Sequence, residues 1–463
     1  MTFRQTLDRG APRRQAFLKI GGIAAVVIGV VLARRPQLLS ARAADPTFAE
    51  DVAPILYKNC TTCHRPGGLG PFSLLDYDSA KANVNEMYDA VSDKKMPPWH
   101  AEGPRGVFRN DRRLSDADRQ TILRWIDGGA KPGDLKKLPT RPEYPTSWVM
   151  GVPDLVVGMS EEFSVPATGT VEYQYFEVPV PVTEDKWVQA IEILPGAREV
   201  VHHVLVYAKV PPAPGAAAPT PQPRPAGAPA PQPLLIRNRA HATPPDPPRT
   251  DAHAPPRQLG ALIATETPGN NIMEFPQGTA LRLRAGTVLT LQMHYTAHGH
   301  AMNDRTKVAF RFAKEQPDEE IFASHFFNGS FTIPAGAKDV AIPGEIGVSQ
   351  PVRIWGMMPH THLRGTRWQY KLEKPDGTSQ IVLDVPHYDF NWQTYYMFAK
   401  PLEVPAGGKI VSMAWYDNSA SNKSNPDPTK DVKWGDQTWE EMQYTGFLYS
   451  VPSRRLNRPS GDR

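Results

Sequence analysis

Cys60-Thr61-Thr62-Cys63-His64 is the one place in the 463 residues where thiol chemistry can occur, because the chain has only two cysteines. Two thiols three apart, followed at once by an imidazole, can form thioethers to both vinyl groups of a haem while the histidine reaches the iron. A structural zinc site would need further soft ligands, and no third cysteine exists. A redox dithiol would need no histidine after the second cysteine. One covalently held haem c on Cys60, Cys63 and His64 is the expectation. Its sixth ligand is expected to be Met96, in Lys95-Met96-Pro97-Pro98-Trp99, where prolines stiffen the chain and a thioether opposite histidine raises the potential. His100 and Met87 are the alternatives.

A second group of side chains could hold a different metal. His202-His203, His294, His360-Thr361-His362 and Met442 all fall in segments that read as strands or strand ends. His360 and His362 are two apart, so a strand would point both imidazoles from one face. Met442 offers a soft thioether, and imidazole with thioether selects copper, above all Cu(I), over zinc or magnesium. His202 and His203 are adjacent and an ideal strand sends them to opposite faces, so they can share an ion only where the strand twists, bulges or ends.

The elements that must position these residues fall into two textures. From Pro46 to about Asp134 the apolar spacing is helical over Phe48 to Tyr57 and Ala80 to Val91. A third helix is capped by Ser115 with Asp118 at N3 and is ended by Gly128-Gly129. A polar joint near Lys136 to Pro145 follows, and then short alternating strands: Trp187 to Ile193, Val200 to Val206 and Thr287 to Tyr295. A second such block runs from about Phe322 to Val451, with strands over Val352 to Trp355, Trp368 to Leu372, Ile410 to Trp415 and Tyr444 to Tyr449. An all-β sandwich is expected for this region. A Pro- and Ala-rich stretch, Pro211 to Pro256, reads as a flexible surface insertion, and its His241 and His253 are read as binding nothing.

Two resemblances follow from these motifs. The first segment looks like the single-haem c-type cytochrome domains fused to other exported redox modules. The order His-His, then Gln292-Met293-His294-Tyr295, then Met358-Pro359-His360-Thr361-His362-Leu363-Arg364-Gly365, then Glu441-Met442-Gln443-Tyr444 resembles the type II copper, ascorbate-dependent monooxygenases that hydroxylate peptidylglycine and dopamine. Thr332-Ile333-Pro334-Ala335-Gly336 fits the opening of their second unit. The resemblance spans about Pro153 to Val451 and implies a multidomain fold, a small all-α cytochrome c-like domain followed by two all-β jelly-roll-type sandwich domains. It implies two copper ions: His202, His203 and His294 around one that stores and passes an electron, His360, His362 and Met442 around one that binds dioxygen. His298 and His300 lie close enough in sequence to compete for the third position of the first set, and the motif favours His294. His387 has no role that the resemblance transfers and is read as structural or supporting. The disulfides of the animal enzymes cannot form here.

Boundaries expected on these grounds are 1–43 for an export signal, 44–135 for the cytochrome-like domain, 150–315 for the first copper domain with its insertion at 211–256, and 316–455 for the second. The signal rests on Arg13-Arg14, an apolar run from Ile20 to Ala33, and Ala41-Arg42-Ala43. Arg13 to Lys19 resembles a twin-arginine signal with one residue added before Phe17. The apolar run is shorter than the roughly 20 residues that span a bilayer, so cleavage and a periplasmic or otherwise exported location are expected, with membrane anchoring only if the signal stays. Eight of the 52 basic residues lie in those first 43, and the remainder has 44 basic against 47 acidic residues, so nucleic acid is not an expected partner. The 49 prolines favour strands and loops over helical bundles. The expected chemistry is C–H hydroxylation of a small-molecule or peptide substrate by O2, with electrons from an ascorbate-like reductant or a redox protein, relayed through the haem. The rival expectation is an electron-transfer or copper-binding protein that hydroxylates nothing; six ligands in two sets are more than a simple carrier needs.

Overall fold

Phe48, Val52, Leu56, Ile122 and Trp125 recur at helical spacing and are all essentially fully buried, which makes them the seam of a helical segment. The computed structural model describes residues 45–144, 148–210, 235–237, 259–267 and 271–452, all within one compact unit. In it, a short π-helical turn Phe48–Val52 leads into α1, Ala53–Asn59. The run expected over Ala80 to Val91 is two helices, α2 (Tyr77–Ala82) and α3 (Val84–Ser92), broken at Asn83. In α4, Asp116–Asp127, the Ser115 side chain accepts a hydrogen bond from Asp118 N at 3.0 Å, and Gly129 leaves with φ +86°. Among the described residues no helix is long and apolar enough to cross a membrane. The export-signal reading lies outside the described residues, as do His241 and His253.

The rest is β structure, and its strands agree with the expected ones within a few residues at their ends, Val288–Tyr295 starting one residue later than expected and Val352–His360 running on past Trp355. Gln174–Pro179, Val288–Tyr295, Val201–Lys209 and Ala261–Glu266 form a four-stranded antiparallel sheet in that spatial order. A nine-stranded sheet covers it and runs on into the second half of the β region. Its central strand, Glu319–Phe327, pairs parallel with Thr279–Leu283 on one side and antiparallel with Tyr444–Ser450 on the other. One sheet therefore crosses the boundary expected at residue 316 and ties the two halves by main-chain hydrogen bonds. The last sheet contains Ser379–Val385, Gly365–Glu373, Lys409–Tyr416 and Val340–Val348, with Leu235–Arg237 pairing at its edge. This edge strand belongs to the Pro-rich insertion, whose remaining residues are outside those described. Each half has its own apolar core.

The helical segment is not set apart from the β region. Between α3 and α4 the chain leaves the helical core: Trp99 and Phe108 pack against Tyr396 and Phe398 with ring centroids 5.1–5.8 Å apart, inside the core of the second β half. Main-chain bonds hold this strap in place, Glu102 N to Asp384 O at 2.9 Å, Arg109 N to Met397 O at 2.9 Å and Ala399 N to Val107 O at 2.9 Å.

Candidate functional site

The pairing of Val201–Lys209 with Val288–Tyr295 resolves how adjacent histidines come to one side. His294 lies opposite His203, but Tyr295 lies opposite Val201, so His202 is the extra residue of a β-bulge. A bulge gives up the alternation of faces at one residue, and the three imidazoles converge. His202 Nδ1 lies 3.1 Å from His203 Nδ1, which lies 3.4 Å from His294 Nδ1. The three residues can present donor atoms all within 4.8 Å of one another, the one such cluster of His, Cys or carboxylate groups among the described residues. Tyr173 backs His294 with its ring 4.9 Å away. His298 and His300 are exposed beyond the strand end, His300 facing Glu199 at 3.7 Å, and do not join. The turn entering the His202 strand is pinned by Asp304: its carboxylate accepts from Gly196 N, Ala197 N, Tyr295 Oη and Thr306 Oγ1 at 2.8–2.9 Å.

His360 is the last residue of Val352–His360, and Thr361 and His362 lie beyond the strand in a turn closed by Gly365 N to His362 O at 3.2 Å. The two rings still come together, centroids 5.2 Å apart, through the turn rather than through strand alternation. His360 Nδ1 donates to Gln393 Oε1 at 2.8 Å, and His362 Nδ1 donates to the Glu440 carbonyl at 3.2 Å. Each bond fixes the tautomer and leaves the Nε2 lone pair free to ligate; His362 Nε2 is buried with no hydrogen-bond partner among the described residues. Glu441 holds the turn, one carboxylate oxygen accepting from His362 N at 2.8 Å and the other from Arg364 N at 2.7 Å. Thr361 is held through its main chain by Tyr388 Oη, which donates to the carbonyl at 3.0 Å and accepts from the amide at 3.3 Å. Met442 follows Glu441, half-buried, its carbonyl accepting from Tyr416 Oη at 2.7 Å, so the segment carrying its thioether runs beside the His360–His362 turn.

The two histidine sets are neighbours. Gln393 is 1 % exposed and spans them, its Nε2 lying 3.5 Å from His203 Nδ1 while Oε1 accepts from His360. The Phe390 ring meets all five imidazoles, with centroid distances of 5.5 Å to His202, 5.9 Å to His362, 6.1 Å to His294, 6.3 Å to His203 and 6.5 Å to His360. Burial pushes every one of these histidines below the ordinary imidazole range, His294 to about 3 and His360 to about 4. They are neutral near pH 7, the form that ligates a metal. Converging neutral imidazoles and a buried Nε2 without a partner fit a metal ion, and the imidazole-rich set with a methionine in the neighbouring segment fits copper. Sequence reasoning missed Phe390, Gln393, Tyr388 and Glu441; the only signal was that Glu441 adjoins Met442 and the other three follow His387. His387 joins neither set. It lines a chamber of about 1230 Å³ together with Met96, His100 and Phe390.

In the helical segment, Cys60 caps α1 and the turn continues through Cys63 N and His64 N, both bonded to Cys60 O at 3.1 and 3.0 Å. Both thiols are free, and burial holds them protonated, Cys60 up to about 12. His64 Nδ1 donates to Phe72 O at 3.2 Å, which leaves Nε2 free, and Gly70 packs so close that a Cβ there would lie 2.6 Å from the ring. Two free thiols and an oriented imidazole on one turn fit a covalent haem. Met87 is a buried core residue of this segment. Met96 and His100 line the chamber, whose wall includes none of Cys60, Cys63 and His64.

Residues 334–444 match the family model of the copper type II ascorbate-dependent monooxygenase C-terminal domain. That segment holds His360, His362, Phe390, Gln393 and Met442, and its match to this domain supports an oxidoreductase enzyme. No curated protein matches the chain. Among solved structures, the major capsid protein P2 of bacteriophage PM2 aligns at 8% identity and a TM-score of 0.25, covering 66% of this chain and 98% of that one. A structure of infectious bursal disease virus, Gx strain, aligns at 8% and 0.18, covering 65% and 74%. Likenesses at these TM-scores carry no argument.

Proposed function

We propose that this chain is an exported monooxygenase that hydroxylates a substrate C–H bond with O2, using two copper ions and receiving electrons through a covalent haem c. The observation that carries the reading is the gathering of five neutral imidazoles into two sets that share one aromatic neighbour. His202, His203 and His294 would hold one copper through the nitrogens that converge at the bulge. His360, His362 and Met442 would hold the other. Bound copper supplies one-electron redox chemistry and activation of dioxygen.

The chain's own residues prepare that chemistry. Gln393 and the Glu440 carbonyl fix the His360 and His362 tautomers and aim Nε2 inward, as outer-sphere partners of metal ligands do. Glu441 and Tyr388 hold the turn between those histidines by its main chain, so the two rings keep their spacing without a metal. Enclosure by the two cores keeps bulk water from the imidazoles, which strengthens electrostatic interactions there. The chamber beside Phe390 gives a substrate room to lie against this cluster.

Cys60, Cys63 and His64 would hold the haem, with Met96 as the expected sixth ligand. Inserting one oxygen atom and releasing the other as water requires two external electrons, and an ascorbate-like reductant or a redox protein would supply them through this segment. Export follows from the same reading, since covalent haem is attached outside the cytoplasm.

Oxygen consumption by the copper-loaded, haem-containing protein tests the reading. With a reductant present, uptake should depend on an added C–H substrate and disappear in His362→Ala. If no substrate in a broad panel raises uptake while the haem still reduces, the chain is an electron carrier instead.

A further inference from the structure

We propose that Phe390 is a size-selecting gate between the chamber and the histidine cluster, and that it limits which substrates reach the reactive copper. The proposal rests on the copper reading above and adds to it the residue that sets access.

Three observations support the assignment. Phe390 lines the chamber of about 1230 Å³ and is itself only 8 % exposed, so it stands in the chamber's wall with most of its surface enclosed. The ring meets all five imidazoles, stacking on His202 at an interplanar angle of 20° and presenting itself edge-on to His203 and His362 at 85° and 80°. The backbone that carries the ring is fixed on both sides of it. Tyr388 Oη is bonded to both the amide and the carbonyl of Thr361, and Gln393 is bonded to His360. Trp392 N donates to Asp389 O at 3.0 Å, and Asn391 donates to the Asp389 carboxylate at 2.9 Å.

With the loop anchored at these points, passage past Phe390 is a matter of side-chain rotation rather than loop movement. A phenyl ring turning within a fixed frame opens a path of limited cross-section. Small molecules pass with little displacement, and bulky ones meet the ring against His202. Truncating the side chain to Ala removes the ring and leaves the five imidazoles in direct contact with the chamber. The substrate class this admits is one that offers a slender alkyl C–H donor at its tip while its bulk stays in the chamber.

Paired probes of one chemistry and two sizes test this. The copper-loaded full chain, reduced to the cuprous state, is mixed rapidly with carbon monoxide or with tert-butyl isocyanide, and the rate of binding is followed by time-resolved infrared spectroscopy. The wild type should favour carbon monoxide kinetically, and Phe390→Ala should reduce that preference by about tenfold or more, since a single side chain's worth of space discriminates on that scale. Phe390→Leu should fall between the two, and it serves as the readout if the Ala variant loses copper or stability. An unchanged preference in a variant that keeps its full copper content overturns the gate. A wild type that binds no copper overturns the metal reading itself and the gate with it, an outcome that elemental analysis of the same samples distinguishes.

Discussion

At the scale of single residues, the candidate site works by taking protons and water away from nitrogen atoms. Each imidazole of the cluster is neutral because burial disfavours the imidazolium, and His360 and His362 each have Nδ1 committed to an oxygen, so that Nε2 is left for a metal. Gln393 is the polar partner most open to test, since its side-chain amide reaches both sets. Gln393→Leu keeps the volume and removes the acceptor, and copper affinity measured by competition with a chelator should fall roughly 10–100-fold, the usual cost of losing an outer-sphere partner. The metal-binding residue types were legible in the sequence because histidine and methionine advertise their chemistry. Gln393 and Phe390 were not, since a glutamine and a phenylalanine in a loop have many ordinary uses. Only the packing of Pro386–Gln393 against strands far away in the chain brings them to the histidines.

At the scale of elements, the bulge at His202 and the strand end at His360 convert linear motifs into convergent donors. The strands themselves were legible from alternation, within a few residues at their ends. The bulge was foreseeable only as a condition for His202 and His203 to act together, because a bulge is a property of pairing between two strands and Tyr295 sits 94 positions from Val201. The same holds for the turn at His362, which replaces the strand geometry expected there. Asp304 is what holds the first arrangement, binding the turn before the His202 strand and Tyr295 beside His294 with one buried carboxylate. Asp304→Ala leaves four donors without that acceptor and should lower stability by about 3–5 kcal/mol, read as a denaturant midpoint of the metal-free protein. Asp304→Asn should recover part of the loss, since its carbonyl oxygen still accepts.

At the scale of the whole molecule, three segments that read separately in the sequence are joined. The sheet that runs through Glu319–Phe327 links the β halves, and the Trp99–Phe108 strap buries part of the helical segment in the second core. Those joins were not legible, because apolar residues in a loop do not announce which core they enter. The first β half also carries a titration. Glu266, 2 % exposed, has its carboxyl raised to about 8, mainly by burial, with Asp304 adding to the rise and Arg198 opposing it. Below about pH 4.5 the group is protonated in folded and unfolded chains alike. As pH rises toward 8 the unfolded chain ionises first, so stability should decline through that window by on the order of a few kcal/mol. Glu266→Gln should flatten this decline in melting curves of the metal-free protein recorded between about pH 5 and pH 8.

In the proposed reading, the two separate histidine sets each bind one copper ion. Copper per chain, measured on the wild type, His203→Ala and His362→Ala after loading and removal of excess metal, tests it most directly. Two ions in the wild type and one in each variant is the predicted result. A wild type that holds one ion or none, or variants that keep the full wild-type content, would contradict it.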